Sequence, residues 1–287
     1  ISMHMLLQSP LARGLFHGAI IESGGGRGRA LPMPTMAVAA RAGDAFAPGA
    51  TAEELRAIPA ERVTGNLSMM TMFQPGYSGP MADGRTILGL SVDAIAAGVY
   101  ARVPVIVGAN SADGLWFVTD KDKTFATFGS DADEARRLYD ADGQGSGLMV
   151  GALTSADATF IEPARAVARG LAKRGQSAWL YRFAHNGSKM GVAMGGAPHA
   201  SELPYVFDQS DLRPDALDTG EDAEVAALTH RYWVNFAKTG KPDGDGTVPA
   251  WPSVTPDDDR VQVIGTNGTA NMTDPRKASV DFVARRA

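Results

Sequence analysis

The chain has 287 residues, 44% of them hydrophobic and 21% charged, with a formal net charge of −5. That length and balance suit a globular body with a real core and argue against disorder, and the acidic surplus argues against the basic face that a nucleic-acid footprint needs. The absence of cysteine excludes disulfides, thiolate metal sites and a cysteine nucleophile, and leaves the compartment open.

The first segment, ISMHMLLQSPLARGLFHGAIIESGGG, has no initiator Met and no basic start leading into an apolar run and a cleavage site. Met3, Met5, Leu6 and Leu7 make a helix-like run with no Ser, Thr, Asp or Asn just ahead of it to cap the first turn. HGAIIES (17–23), closed by three glycines, predicts a buried strand entering a turn. The following SGGGRGR resembles a phosphate-binding turn, but Arg29 occupies the last position of G-x-G-x-x-G, so a tight strand exit is expected instead.

Residues 30–80 carry helical fragments at 36–46 and 52–58 among several Pro and Gly and fit no strand pattern. They read as an excursion from the sheet, a cap whose Met69, Met70, Phe73 and Tyr77 are candidate apolar lining for a substrate pocket. VPVIVGAN (103–110) and SAWLYRFAH (177–185) predict two more core strands. Helices are expected over 131–140, 154–175 and 223–240; in the second, Phe160, Ala164, Val167 and Leu171 recur every three or four residues and Gly175 is a natural cap. DRVQVIG (259–265) and TANM (269–272) predict a hairpin before a last helix over 275–286. Strands alternating with helices give an α/β sheet. The longest apolar runs fall far short of the ~20 residues that span a bilayer, so no transmembrane helix is expected.

None of the five histidines, at positions 4, 17, 185, 199 and 230, pairs with another at a zinc-ligand spacing, and no metal is expected. His199, in GGAPHASELPYVFD, sits in a Gly- and Pro-rich loop where it can face a cleft as a general base. Asp113, in GANSADGLWF, lies just past the end of a strand, where doubly wound sheets place functional groups. An acid followed by a histidine matches the last two members of the order Ser, Asp/Glu, His used by α/β-hydrolases. No complete G-x-S-x-G elbow is present: the nearest match, GYSGP around Ser78, ends in Pro and follows no strand.

Five segments in order resemble the type-B carboxylesterases, which include bacterial para-nitrobenzyl-type esterases and the cholinesterases: SPLARGLFHGAIIESG, YSGPMADGRTIL, VPVIVGANSADGLWF, GAPHASELPYVF and YWVNFAKTGKPDGDGTVPAWP. The resemblance implies an α/β-hydrolase fold, with residues 1–287 forming the C-terminal part of one catalytic domain: a mostly parallel doubly wound sheet whose helical insertions, 30–80 among them, cap the active site. It implies that His199 is the general base and Asp113 the triad acid, a position where the family usually has Glu. It places Ser23 as a hydrogen-bond partner near the acid and Glu202 at a structural position. It also implies that the nucleophilic serine, in a G-E-S-A-G elbow, and the oxyanion-hole glycines belong to a segment N-terminal to Ile1, so that the chain opens in the helix behind the elbow. The expected activity is hydrolysis of a small-molecule carboxylic ester through an acyl-enzyme, without a cofactor. The family also holds non-catalytic adhesion proteins, an alternative that the retained His199 and acid argue against.

Overall fold

The computed structural model describes residues 1–28, 33–65, 67–68, 79–114, 119–209, 211, 220–244, 246–258, 260–265 and 268–287. The elements run α1 (Ser2–Gln8), β1 (Ala19–Glu22), α2 (Met36–Phe46), α3 (Ala52–Arg56), α4 (Ala60–Thr64), α5 (Ser91–Ala96), β2 (Val105–Asn110), α6 (Lys121–Ala126), α7 (Ala132–Tyr139), α8 (Gly147–Ala156), α9 (Glu162–Lys173), β3 (Ala178–Phe183), α10 (Lys189–Met194), α11 (Leu203–Val206), α12 (Asp222–Thr239), β4 (Arg260–Gly265), β5 (Gly268–Thr273) and α13 (Lys277–Arg285).

The strands form one sheet in the order β1-β2-β3-β4-β5, parallel from β1 to β4 and antiparallel at β5. Every residue of β2 and β3 is buried, as near-continuous apolar strands must be when helices cover both faces. Alternation along the strands sends Ile21, Val105, Val107 and Leu180 to one face, against Leu7 of α1, Ile95 of α5 and Ala164, Val167 and Leu171 of α9. Ile106, Trp179, Tyr181, Phe183 and Ile264 go to the other, against Tyr205 of α11, Trp233 and Phe236 of α12, and Trp251. The sheet is therefore doubly wound, and its parallel strands all point their carboxyl ends to one edge.

The three expected strands, the hairpin, and the helices at 131–140 and 223–240 are present, the last closed by Gly240 in the left-handed conformation. The helix expected from Thr154 starts seven residues earlier, because the Ser146 side chain accepts from Met149 N–H at 3.1 Å and caps it there. It is also interrupted by a π turn at Asp157–Ile161. The cause is written in the sequence: Pro163, just inside α9, has no N–H to continue the i→i−4 ladder. At the start of the chain, Ile1 precedes α1 with no side-chain cap. Helices α2, α3 and α4, inside the expected 30–80 excursion, bury no residue. Met69, Met70, Phe73 and Tyr77 lie outside the described residues. Among the described residues, no helix is long and apolar enough to cross a membrane.

Candidate active site

The carboxyl ends of β1, β2 and β3 bring Ser23, Asp113 and His199 together. Asp113 follows β2 by three residues and has no exposed surface. Its Oδ1 meets His199 Nδ1 at 2.5 Å. Its Oδ2 accepts the Asn110 backbone N–H at 2.9 Å and the hydroxyl of Ser23. The carboxylate is thus fixed on both oxygens, with one reserved for the imidazole.

Aspartate is one methylene shorter than glutamate, so the histidine loop must come close to the end of β2, and the backbone shows how it does. Ser111 N–H donates to Phe183 O at 2.8 Å, Ala112 N–H to Ala197 O at 2.9 Å, and Ala197 N–H to Ser111 Oγ at 2.8 Å. Ala112 and Pro198 form a parallel bridge. Gly196 permits the approach, since a Cβ there would stand 2.6 Å from Ser111 Oγ. The acid's own loop is equally tight: a Cβ on Gly114 would stand 2.1 Å from the Ala152 carbonyl oxygen.

Asn110 completes the junction. Its amide donates to the Pro198 carbonyl at 2.6 Å and to the Glu202 carboxyl, so one side chain ties the strand that carries the acid to the backbone just ahead of the base. Two non-glycine residues here adopt left-handed backbone, Ser23 at φ 49° and Ala200 at φ 63°. Each conformation costs about 1–2 kcal/mol, and the surrounding bonds hold it in place.

The electrostatics follow from this packing. The hydrogen bond that His199 Nδ1–H donates to Asp113 raises the His199 pKa above the ordinary histidine value, partly opposed by burial. Burial first, and the neighbouring Asp113 second, push the Glu202 carboxyl up to about 7, against the Asn110 hydrogen bond. Glu22, whose Oε1 accepts the Trp233 indole N–H at 2.9 Å, is also raised by burial. The Phe160 ring lies nearly parallel to the His199 imidazole, 16° between planes with centroids 5.6 Å apart. His199 itself keeps 31% of its side chain exposed, enough for a substrate to reach it.

Of the residues the sequence singles out, His199, Asp113 and Ser23 meet here, with Glu202 beside them. Two further contributors escape a reading of the sequence. Asn110 signals itself only as a lone polar residue ending an apolar strand, and Phe160 reads as one of a helix's core-facing residues. Three other histidines have separate settings. His4 is buried with Nδ1 at 2.5 Å from the Tyr100 hydroxyl, His185 Nε2 lies 2.9 Å from Asp222, and His230 Nδ1–H donates to the Val206 carbonyl at 2.9 Å.

The profile of the carboxylesterase family matches residues 149–283. The fumonisin B1 esterase of Sphingopyxis macrogoltabida is 30% identical over 275 residues, covering 88% of this chain and 49% of that protein. The para-nitrobenzyl esterase of Bacillus subtilis is 26% identical over 270 residues, covering 88% of this chain and 54% of its own length. The chain thus spans about half the length of these curated relatives. A solved PNB esterase superposes with a TM-score of 0.74 at 24% identity, over 98% of this chain and 61% of the other, a likeness of fold.

Proposed function

We propose that the chain belongs to the carboxylesterase family, whose profile matches residues 149–283 and one of whose likenesses is 30% identical over 88% of this chain, and that it is the base- and acid-bearing part of a serine carboxylesterase, with His199 as general base and Asp113 as the acid that orients it. The observation that carries this reading is the 2.5 Å contact between His199 Nδ1 and the buried, doubly anchored carboxylate of Asp113.

In the proposed reaction, a serine from a segment preceding Ile1 attacks the ester carbonyl, and His199 takes the hydroxyl proton on Nε2 and passes it to the departing alkoxide. A water then attacks the acyl-enzyme, giving up its proton to His199, and the acid leaves as the serine is restored. Asp113 fixes the tautomer that leaves Nε2 free to accept, and stabilises the imidazolium formed at each transfer. The same preceding segment supplies the oxyanion-hole N–H groups, and the substrate is a small carboxylic ester. Residues 30–80 are proposed to cap the pocket, with Met69, Met70, Phe73 and Tyr77 along its wall.

The test is covalent labelling of the full-length protein with a fluorescent organophosphonate, which needs an activated serine. A labelled band that disappears with His199→Ala is the expected result. A full-length protein that neither takes the label nor turns over para-nitrophenyl esters would overturn the reading.

A further inference from the structure

One hydrogen bond fixes a point on an imidazole, not its plane. The contact from Asp113 Oδ1 to Nδ1 and the covalent tether at Cβ leave the ring of His199 able to rock about the line between those two atoms, and rocking carries Nε2 away from any fixed target. The structure holds a second constraint. Phe160 is 5% exposed and stacked on the imidazole, and it belongs to the π turn that interrupts the run from α8 to α9.

That turn is anchored at both ends. Asp157 accepts from the Tyr139 hydroxyl at 2.9 Å and from the Arg276 guanidinium at 2.6 Å, and Glu162 takes a two-pronged bond from Arg27 at 2.7–2.8 Å. The extra residue of a π turn rotates the downstream helix by about 100° relative to an uninterrupted one. It lets α9 keep Ala164, Val167 and Leu171 on the sheet while Phe160 and Ile161 pack beside Ala109 and Val280 at the carboxyl end of β2. We propose that Phe160 is a positioning residue for His199: the π turn delivers its ring to one face of the imidazole, setting the plane in which Nε2 works and favouring the imidazolium that forms during proton transfer. The proposal rests on the reading of His199 as general base. Its physical basis is that an aromatic face attracts a cation and offset stacking has a preferred geometry.

The experiment compares Phe160→Leu, which keeps apolar bulk without a ring, with Phe160→Tyr, which keeps the ring, in the full-length protein. The NMR shift and titration of the His199 Hε1 proton, assigned with His199→Gln, read the stack directly, and para-nitrophenyl ester kinetics read its consequence. In Phe160→Leu the Hε1 resonance is expected to move downfield, the titration midpoint to fall, and kcat to drop about 3- to 10-fold at unchanged KM. Phe160→Tyr is expected to restore all three. Should Phe160→Leu fail to fold, Phe160→Met is read the same way. A ring-free variant with the parent's resonance, titration and kcat overturns the proposal, as does a Tyr variant that loses as much as Leu. If the parent turns over no ester at all, the esterase reading fails by itself and the resonance and titration still decide the stack.

Discussion

The backbone N–H of Asn110 donates to the Oδ2 of Asp113 at 2.9 Å, three residues further along the chain, and neither residue has exposed surface. The turn between them aims the carboxylate back over the end of β2. The Asn110 side chain reaches the other way, to the Pro198 carbonyl and Glu202, so acid and base are registered against one strand end. Asn110→Ala removes those side-chain bonds; the Pro198 carbonyl keeps the Ser201 hydroxyl and N–H, so the loss falls on the buried Glu202 carboxyl. The expected cost is about 1.5–3 kcal/mol in urea unfolding, with a fall in kcat from the loosened histidine loop. A variant as stable as the parent would show that the clamp contributes nothing.

Asp113→Asn keeps the shape but loses the charge and the correct tautomer, and kcat is expected to fall up to ~10⁴-fold. Asp113→Glu, the residue usual in the family, is expected to lower activity rather than raise it. The junction at Gly196 and Ala112 has closed around the shorter side chain, and an added methylene in a packed site typically costs about 1–3 kcal/mol. Ester kinetics of the two variants against the parent test both statements.

The hydrogen bond to Asp113 raises the His199 pKa, and a general base works only when neutral. The rise of kcat/KM with pH is therefore expected to have its midpoint above the ordinary histidine value of 6.5. A pH–rate profile with its midpoint below 6.5 would contradict this assignment.

Glu202 contributes a pH dependence to stability. Its carboxyl titrates near 4.5 in the unfolded chain and at about 7 when buried here, so between those values the folded state binds the extra proton. Stability is expected to fall as pH rises through that window, by on the order of 3 kcal/mol from this group. Glu202→Gln, which cannot ionise, should flatten the slope; urea midpoints measured from pH 5 to 8 supply the comparison.

His4 acts in the opposite direction. Burial lowers its pKa from 6.5 to about 3, so in this range the unfolded chain binds the extra proton. Stability is expected to drop as pH falls from 6.5 towards 3, by roughly 3–5 kcal/mol from this residue. In His4→Gln that acid-side loss should shrink, and thermal melts at pH 4 and 7 would reveal it.

Much of the fold is legible in the sequence because its signals are local. The apolar runs ending in Ser23, Asn110 and His185 mark three of the four parallel strands, and the spacing of Ala164, Val167 and Leu171 marks α9. Capping alters one boundary: Ser146 begins its helix well before the apolar pattern becomes clear. Pro163 is visible, but which way the chain yields to it depends on the anchors at Asp157 and Glu162, which come from Tyr139, Arg276 and Arg27.

By itself, the sequence determined that a loop histidine and a strand-end acid stand in the order of a hydrolase, because residue type and local setting are properties of short stretches. Only the tertiary structure decided that aspartate reaches where the family usually has glutamate. That reach depends on backbone contacts between residues 110–112 and 197–198, some 86 positions apart, which no local pattern encodes. The same is true of Phe160, whose ring meets His199 only after Pro163 has widened a helical turn.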